Sequence, residues 1–280
     1  MKTAIVTDST AYIPEGVRDE WNIHMVPLSV VIGGEVYEEE VNLQVDEFYR
    51  LVREGGELPK TSQPPVGRFV ELFGELSKEY DAIISIHLSS GISGTYQGAV
   101  QAGEMTEQAK VYAFDSETSC YVQGFYVLRA AKMAKEGIPA EDIMAELNDL
   151  KTTERAYFMA DDLSHLQRGG RLSSAQALIG GLLQIKPVLH FENKVIVPFE
   201  KIRTRKKAMN RIVELLGKDA AKYDRLEAAI IHANRPIEAE EWRKEMEEQF
   251  PNVEFTISYF GPVIGTHLGE GSMGLGWMRK

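Results

Sequence analysis

The stretch AIISIHLSSGISGT, residues 82–95, joins an apolar run to a polar turn that contains two glycines. Residues 82–88 have the character of a buried β-strand, and the residues after Thr95 have the apolar spacing that is typical of a helix. The turn itself, SSGISGT, brings four hydroxyl groups to this junction. The stretch therefore predicts an α/β fold with a candidate site where the strand ends.

Strands and helices alternate in the same way through the first half of the chain. Because parallel strands need long crossover connections, usually helices, this alternation predicts a mainly parallel sheet with helices on its faces. The predicted strands span residues 2–8, 82–88 and 110–115, and the predicted helices span residues 46–54, 66–79, 96–105, 121–135 and 138–150.

The second half has a different pattern, in which two strand-like runs follow each other closely enough to form a hairpin. We therefore expect an α/β protein of two α/β domains, residues 1–153 and 154–280, with a mainly parallel sheet in the first and a mixed sheet in the second. The predicted strands here span residues 156–160, 186–191, 194–199, 226–232 and 253–259, and the predicted helices span residues 205–216 and 238–250.

The composition limits the class of partner and the location. The 280-residue chain has a formal net charge of −11, so nucleic acids and anionic membrane surfaces would repel it at long range. Cys120 is the only cysteine, which excludes an intrachain disulfide and favours a reducing compartment. The first apolar stretch is too short for a signal peptide, and no window approaches the roughly 18–20 apolar residues that span a bilayer. We expect a cytoplasmic protein with no integral membrane segment and no nucleic-acid partner.

The turn around Ser93 is similar to the nucleophile elbow of serine hydrolases. The GxSxG pattern needs a second glycine where this chain has Thr95, and a β-branched side chain there would crowd the helix against the strand. A catalytic triad would also need a histidine and an acid that folding brings to Ser93. An esterase or acyltransferase with Ser93 as its nucleophile stays an alternative.

Phosphate, dinucleotide and metal sites are disfavoured. The Walker lysine and the three spaced glycines of a dinucleotide site are missing, and no two of the six histidines lie three or four residues apart. The turn does offer a helix N-terminus with hydroxyls and flexible glycines, which suits either a carboxylate or a plain helix cap. We expect no metal and no cofactor.

Two acidic residues, Asp8 and Asp115, each end a predicted strand. In a parallel sheet they would share an edge with Ser93, where ligands bind in open α/β sheets, or they would simply cap the turns that follow them. Both interpretations stay open at this point.

Two further stretches carry candidate polar contacts. In KTSQPPVGRF, residues 60–69, Thr61 precedes two prolines that hold the approach to a helix rigid. In GPVIGTHLGEGSMGLGW, residues 261–277, six glycines surround His267 and predict turns and close backbone approach. The histidine is either a structural hydrogen-bonding residue or a ligand contact.

Taken together, these stretches resemble the DegV family of bacterial fatty-acid-binding proteins. The resemblance extends over nearly the whole chain and keeps the motifs in the family's order, which makes it far more specific than any single motif. The matching motifs are TDST at 7–10, KTSQP at 60–64, LSSGISGTYQGA at 88–99, DSET at 115–118, LQRGGRLSS at 166–174, KPVL at 186–189 and GPVIGTHLG at 261–269.

The resemblance implies that one long-chain fatty acid, such as palmitate, is buried between two α/β domains. It implies that Thr61 and Ser93 hold the carboxylate and that His267 and Arg171 lie near this head group. We then expect Gly91 and Gly94 to let the carboxylate approach. It further implies a lipid carrier without chemistry of its own. In some bacteria such proteins present the fatty acid to a separate kinase that phosphorylates the carboxylate.

The chain departs from the family pattern at two positions. Pro65 stands where the family commonly has serine and could alter the wall beside Thr61, and Glu270 stands where the family often has proline and puts an acid close to the head group. The acyl tail would need an apolar tunnel. Candidates for its wall are residues 177–185, Phe125, Phe158 and Ile264.

A basic segment stands out in this acidic protein. In KIRTRKKAMNRIVELLG, residues 201–217, Thr204 is a predicted N-cap, yet three basic residues follow it in the first helical turn, where positive charge opposes the helix dipole. The segment is either solvated charge or a docking face for an acidic partner such as the kinase. The docking residues would be Arg203, Arg205 and Lys206.

Overall fold

The computed structural model describes residues 2–55, 57–172 and 186–280. The first half is built on a sheet of four parallel strands in the order β2-β1-β6-β7, which we call the first sheet. A small antiparallel sheet in the order β4-β3-β5 lies beside it. These strands are β1 (Thr3–Asp8), β2 (Ile23–Val26), β3 (Ser29–Ile32), β4 (Glu35–Glu38), β5 (Lys60–Ser62), β6 (Ala82–His87) and β7 (Lys110–Asp115).

The second half is built on a mixed sheet, the second sheet, in the order β10-β9-β8-β13-β11-β12. Its neighbouring strands are antiparallel except for β11 and β12, which are parallel. The strands are β8 (Arg155–Met159), β9 (Val188–Glu192), β10 (Val195–Glu200), β11 (Leu226–His232), β12 (Val253–Tyr259) and β13 (Met273–Arg279).

The helices of the first half are α1 (Glu15–Trp21), α2 (Val45–Glu54), α3 (Val66–Leu76), α4 (Thr95–Glu104), α5 (Cys120–Lys135) and α6 (Ala140–Leu150). Those of the second half are α7 (Ser164–Arg168), α8 (Arg205–Ala220), α9 (Pro236–Gln249) and α10 (Pro262–Leu268). None of the helices within the described ranges has the length and apolar character that a membrane crossing requires.

Strand β6 shows why the first sheet needs helices on both faces. All six of its residues are buried, and alternate side chains enter different cores. Ile83 packs with Phe69 and Phe73 of α3, whereas Ile84 and Ile86 join the core that contains α5 and α6. A parallel strand buried on both faces gives a continuous apolar run, and this is the run that the sequence shows.

The core around α5 continues into the second half of the chain, where it includes Phe158, Ile231 and Met278. The two large sheets therefore share one hydrophobic core on their facing sides. Every strand of the first sheet precedes residue 153 and every strand of the second sheet follows it. We propose on this basis that the domain boundary lies between residues 153 and 154.

The sequence predicted most of these elements, and the two-part α/β architecture is confirmed. It missed α1, β2, α7, the small antiparallel sheet and, most importantly, β13. The glycine-rich stretch was expected to form turns, but it forms α10 followed by a central strand of the second sheet.

Asp8 connects the carboxyl ends of β1 and β6, the central strands of the first sheet, through hydrogen bonds. Its carboxylate accepts hydrogen bonds from the backbone N–H of Leu88 at 3.0 Å and of Thr10 at 3.0 Å, and it lies 2.9 Å from Nδ1 of His87. Asp115 similarly accepts hydrogen bonds from Ser90 and Glu117. Both acids therefore serve the capping role, and neither lines the cavity described below.

Asp8→Ala should lower the free energy of unfolding by about 3–5 kcal/mol, because it leaves several buried donors without a partner. Urea unfolding followed by circular dichroism measures this loss, with Glu104→Ala on the exposed end of α4 as the control. A loss below about 1 kcal/mol would show that the Asp8 contacts are dispensable.

Candidate functional site

A cavity of about 260 Å³ lies between the first and second sheets. Both halves of the chain contribute to its wall, and the lining residues divide into a polar group and an apolar majority. The polar group includes Thr61, Ser62, Gln63, Ser93, Arg171 and His267, and the apolar wall includes Leu28, Leu88, Val122, Phe158, Leu166, Phe191, Ile231, Phe260, Val263 and Ile264.

Thr61 lies on strand β5 of the small sheet and lines the cavity. It lies opposite buried Val30 in the pairing of β5 with β3, so the alternation of the strand turns Thr61 toward the protein interior. Its Oγ1 lies 2.8 Å from Nε2 of His267, which is carried by α10. This hydrogen bond joins residues that are 206 positions apart in the sequence.

Ser93 lies in the turn between β6 and α4. Helix α4 begins at Thr95, and its N-cap residue is Gly94. Gly94 has no side chain that could accept a hydrogen bond from the first turn of the helix. The Oγ of Ser93 lies 2.8 Å from Oγ1 of Thr95 and accepts a hydrogen bond from the backbone N–H of Thr95 at 3.3 Å. Ser93 thus helps to cap the helix while its residue lines the cavity.

Arg171 connects the two halves beside the polar group. Its Nε donates to the carbonyl of Ile92 at 3.2 Å, and its Nη1 donates to the carbonyl of Gly169 at 2.6 Å. The guanidinium is therefore held next to the turn that carries Ser93. All four predicted head-group residues line the same cavity.

His267 is neutral near physiological pH. Burial is the main cause that lowers its pKa to about 4, and the positive charge of Arg171 acts in the same direction. Its Nδ1 is buried without a hydrogen-bond partner among the described residues and packs against Gly169, where a Cβ would come within 2.3 Å. The glycine at 169 is needed for this close approach.

A buried acid holds the helix that carries His267. The carboxyl group of Glu39 accepts hydrogen bonds from the backbone N–H of Val263 at 2.7 Å, from the hydroxyl of Tyr12 at 2.9 Å and from the hydroxyl of Ser9 at 2.6 Å. Burial raises the pKa of Glu39 to about 8. The start of α10 is thus tied to the first half of the chain, and nothing in the sequence motifs pointed to Glu39.

The glycines of the turn have a packing role that the sequence did not predict. A Cβ on Gly91 would lie 2.2 Å from the carbonyl oxygen of Lys194, and a Cβ on Gly94 would lie 2.1 Å from Oε1 of Gln63. Both glycines therefore make room for other parts of the protein. Gly94 also lines the cavity, whereas Gly91 is not among the described lining residues, and the approach of a carboxylate to them stays a prediction. Gln63 belongs to the KTSQP motif, which was the one signal that could have indicated it as a lining residue.

The candidate tunnel residues have different outcomes. Phe158 and Ile264 line the cavity, as predicted. Phe125 does not, because it is buried in the core, where its ring packs edge-on against Tyr121 with centroids 5.4 Å apart. Residues 177–185 lie outside the described residues.

The two departures from the family pattern are not among the described residues that line the cavity. Pro65 is the N-cap of α3. Glu270 accepts a hydrogen bond from Asn234 at 2.7 Å and lies 3.4 Å from Nε of Arg53. Its carboxylate is therefore engaged with neighbours other than the polar group, contrary to the expected acid beside the head group.

The described residues do not form a hydrolase triad or a metal cluster. Within these ranges, Ser93 Oγ makes its hydrogen bonds with Thr95, and no histidine nitrogen is bonded to it. No group of three or more potential metal-ligating side chains comes together in the described part of the chain. The site consists of neutral donors and one guanidinium at the edge of an apolar cavity.

His267→Gln should make the free energy of unfolding depend less on pH below neutrality. The folded-state pKa of about 4 lies below the ordinary value of 6.5, so the unfolded chain binds a proton here before the folded chain does. The contribution of neutral His267 is fully present above that ordinary value and is lost as the pH falls toward 4. Between pH 7 and pH 5, urea unfolding should show a loss about 2 kcal/mol larger for the wild type than for the variant. Equal losses would contradict a neutral, buried His267.

The comparisons with known proteins agree over the full length of the chain. The family model described as "Uncharacterised protein, DegV family" matches residues 2–280. Protein DegV from Bacillus subtilis is 59% identical, with full coverage of both chains, and a DegV domain-containing protein from Listeria innocua is 52% identical over 100% of this chain and 99% of the relative.

Solved structures show the same fold. The crystal structure of Bacillus subtilis DegV, described as a fatty acid binding protein, matches with a TM-score of 0.96, 59% identity and full coverage of both chains. A DegV family protein from Thermus thermophilus, whose structure is described as showing fatty acid binding, matches with a TM-score of 0.93 at 31% identity, again with full coverage of both. This chain belongs to the DegV family.

Proposed function

We propose that this protein binds one long-chain fatty acid in the cavity between its two sheets. The observation that carries the proposal is the division of the cavity wall, in which Thr61, Ser93, Arg171 and His267 belong to a polar group beside a mainly apolar enclosure. A ligand that fits this wall has one anionic group and a long apolar body. Fatty acids have this form, and the solved relatives from Bacillus subtilis and Thermus thermophilus are described as binding them.

The hydrogen bond between Thr61 and His267 orients the Thr61 hydroxyl, which we propose as a hydrogen-bond donor to the carboxylate. Neutral His267 carries one proton, and we assign it to Nε2, because a proton on Nδ1 would leave a buried N–H without a partner. His267 then donates to Thr61 Oγ1, so the hydroxyl hydrogen of Thr61 points elsewhere. A carboxylate in the cavity is the acceptor that this hydrogen requires.

The head group and the tail have separate energetic roles. A tail with more than ten methylenes gains on the order of 10 kcal/mol from burial, at about 0.8 kcal/mol per methylene, before the costs of association. Each hydrogen bond to the charged carboxylate contributes roughly 1.5–3 kcal/mol. The tail therefore supplies most of the affinity, and Thr61 and Ser93 fix which end of the ligand lies at the polar group.

We propose a carrier rather than an enzyme. The esterase or acyltransferase alternative needs a base that removes the proton of Ser93, and within the described ranges no histidine is hydrogen-bonded to that hydroxyl. His267 is engaged with Thr61 instead. We also propose a cytoplasmic location, which the single buried thiol of Cys120 fits.

We further propose that the protein presents the fatty-acid carboxylate to a kinase that docks on the basic segment at the start of α8. Arg203 and Lys206 are exposed there. Arg205 is better explained as a structural residue, because its guanidinium binds Glu238 in a two-point contact at 3.0 and 2.9 Å and donates to the carbonyl of Gly271 at 2.6 Å. These contacts hold α8 against α9 and against the loop that follows α10.

Thr61→Ala and Ser93→Ala should each weaken binding of palmitate about 10- to 100-fold without emptying the cavity, since each removes one hydrogen bond to a charged group while the tail contacts stay. Titration of the delipidated protein with palmitate, together with mass spectrometry of an organic extract, measures the loss. Ser77→Ala, at the exposed end of α3, is the matched control. Unchanged affinity in both cavity variants would overturn the proposed head-group contacts.

Charge reversal at Arg203 and Lys206 should lower the rate of kinase-coupled phosphorylation at least 10-fold at low salt while palmitate affinity stays unchanged. The difference should shrink as salt rises, because docking between exposed charges is screened. Lys218→Glu, an exposed change near the other end of α8, is the control. An unchanged rate in the double variant would contradict docking through this segment.

A further inference from the structure

Strand β13 presents bare backbone to the cavity. Gly274 and Gly276 both line it, and they alternate with Leu275 and Trp277, which pack into the core on the opposite face of the second sheet. Neither glycine has a positive φ, so neither is needed for an unusual backbone conformation. The reason for glycine at these positions is space.

At Gly276 that space is filled by a side chain of α5. A Cβ on Gly276 would lie 2.2 Å from Cγ2 of Val122 and 3.1 Å from the carbonyl oxygen of Arg155. The Val122 methyl group therefore packs directly onto the strand where a side chain would otherwise begin. Helix and strand meet at this point, and the cavity between them narrows to a contact.

At Gly274 two aromatic residues of the cavity wall come close to the bare backbone. A Cβ there would lie 3.1 Å from Cβ of Phe158 and 3.1 Å from Cζ of Phe260. Both phenylalanines also line the cavity. Because a side chain on Gly274 would push against both of them, glycine at this position lets the two phenylalanines keep their places in the wall.

The direction of the strand gives the order of these two positions along the cavity. Strand β13 begins at Met273, shortly after α10 ends at Leu268, and α10 carries His267. Two residues of an extended strand span about 6.7 Å. Gly276 therefore lies about 6.7 Å further from the start of β13 than Gly274 does. From the helix of His267, the chain thus reaches Gly274 beside the two phenylalanines first and Gly276 at the Val122 contact second.

We infer that these two positions select the length of the acyl chain: Gly274 lets Phe158 and Phe260 pack in the wall and so leaves the cavity wide enough for the tail, and the packing of Val122 on Gly276 is the stop at the far end of the tail. This inference rests on the proposed fatty-acid function and adds the residues that set its specificity. A tail that reaches the stop loses about fourfold in affinity for each further methylene that cannot be buried, which corresponds to about 0.8 kcal/mol.

Two substitutions should shift the preference in opposite directions. Val122→Ala removes the methyl groups at the stop, so the affinity for stearate and arachidate should rise relative to that for palmitate, about fourfold per extra methylene admitted. Gly274→Ala displaces Phe158 or Phe260 and so narrows the cavity, so the longer chains should lose several-fold more affinity than myristate does. The measurement is competition among these four saturated fatty acids for the delipidated protein, read by mass spectrometry.

The controls match each change in chemistry and crowding. Val127→Ala makes the same truncation on α5 at a buried position that does not line the cavity. Gly103→Ala adds a methyl group 3.0 Å from Val111 Cγ1, well away from the cavity wall. Both controls should keep the wild-type order of affinities, and thermal melts of all four variants report folding.

The outcomes separate this inference from the proposed function. Wild-type binding with an unchanged chain preference in Val122→Ala overturns the inference and leaves the fatty-acid function standing. A shift of the same size in Val127→Ala also overturns it. A wild-type protein that binds none of the four fatty acids overturns the proposed function itself. Opposite shifts in the two cavity variants support the inference.

Discussion

The contact between Gly91 and the carbonyl of Lys194 fixes how the two large sheets meet. The hydroxyl of Ser89 donates to that same carbonyl at 2.6 Å, and the ammonium of Lys194 lies 3.0 Å from the carboxylate of Asp115. One turn of the second sheet is thereby pressed onto the turn that carries Ser93. On another side Glu39 ties α10 to the first half. The polar group of the cavity exists because these two connections hold its members from opposite halves together.

The rest of the cavity follows from that arrangement and from the character of the facing sides. The shared core contributes apolar side chains to the cavity wall. Strand β13 contributes the backbone of Gly274 and Gly276, which have no side chains. A carboxylate left in such an apolar space would be costly unless it were hydrogen-bonded, and the polar group offers those partners. The separation of an apolar region for the tail from polar partners for the carboxylate is therefore a property of the fold as well as of the residues around Thr61.

The sequence predicted the elements whose side chains carry a periodic signal. Strand β6 was evident because isoleucines occupy both of its faces, whereas β13 was missed because Gly274 and Gly276 erase the alternation that identifies a strand; its pairing with β8 and β11 supplies what the sequence pattern lacks. The four head-group residues came from family motifs. Their meeting could not be derived from spacing, since Thr61 and His267 are joined only by the packing of distant elements. The packing roles of Gly91 and Gly94 could not be predicted for the same reason: the atoms they make room for are remote in sequence or in another motif.

Native mass spectrometry of the protein purified from bacterial cells, followed by analysis of its organic extract, shows whether the cavity holds a fatty acid. We expect one long-chain fatty acid per chain, retained in the folded protein and released on denaturation. A protein that carries no fatty acid, does not take up palmitate after delipidation and instead turns over a model ester through Ser93 would contradict it.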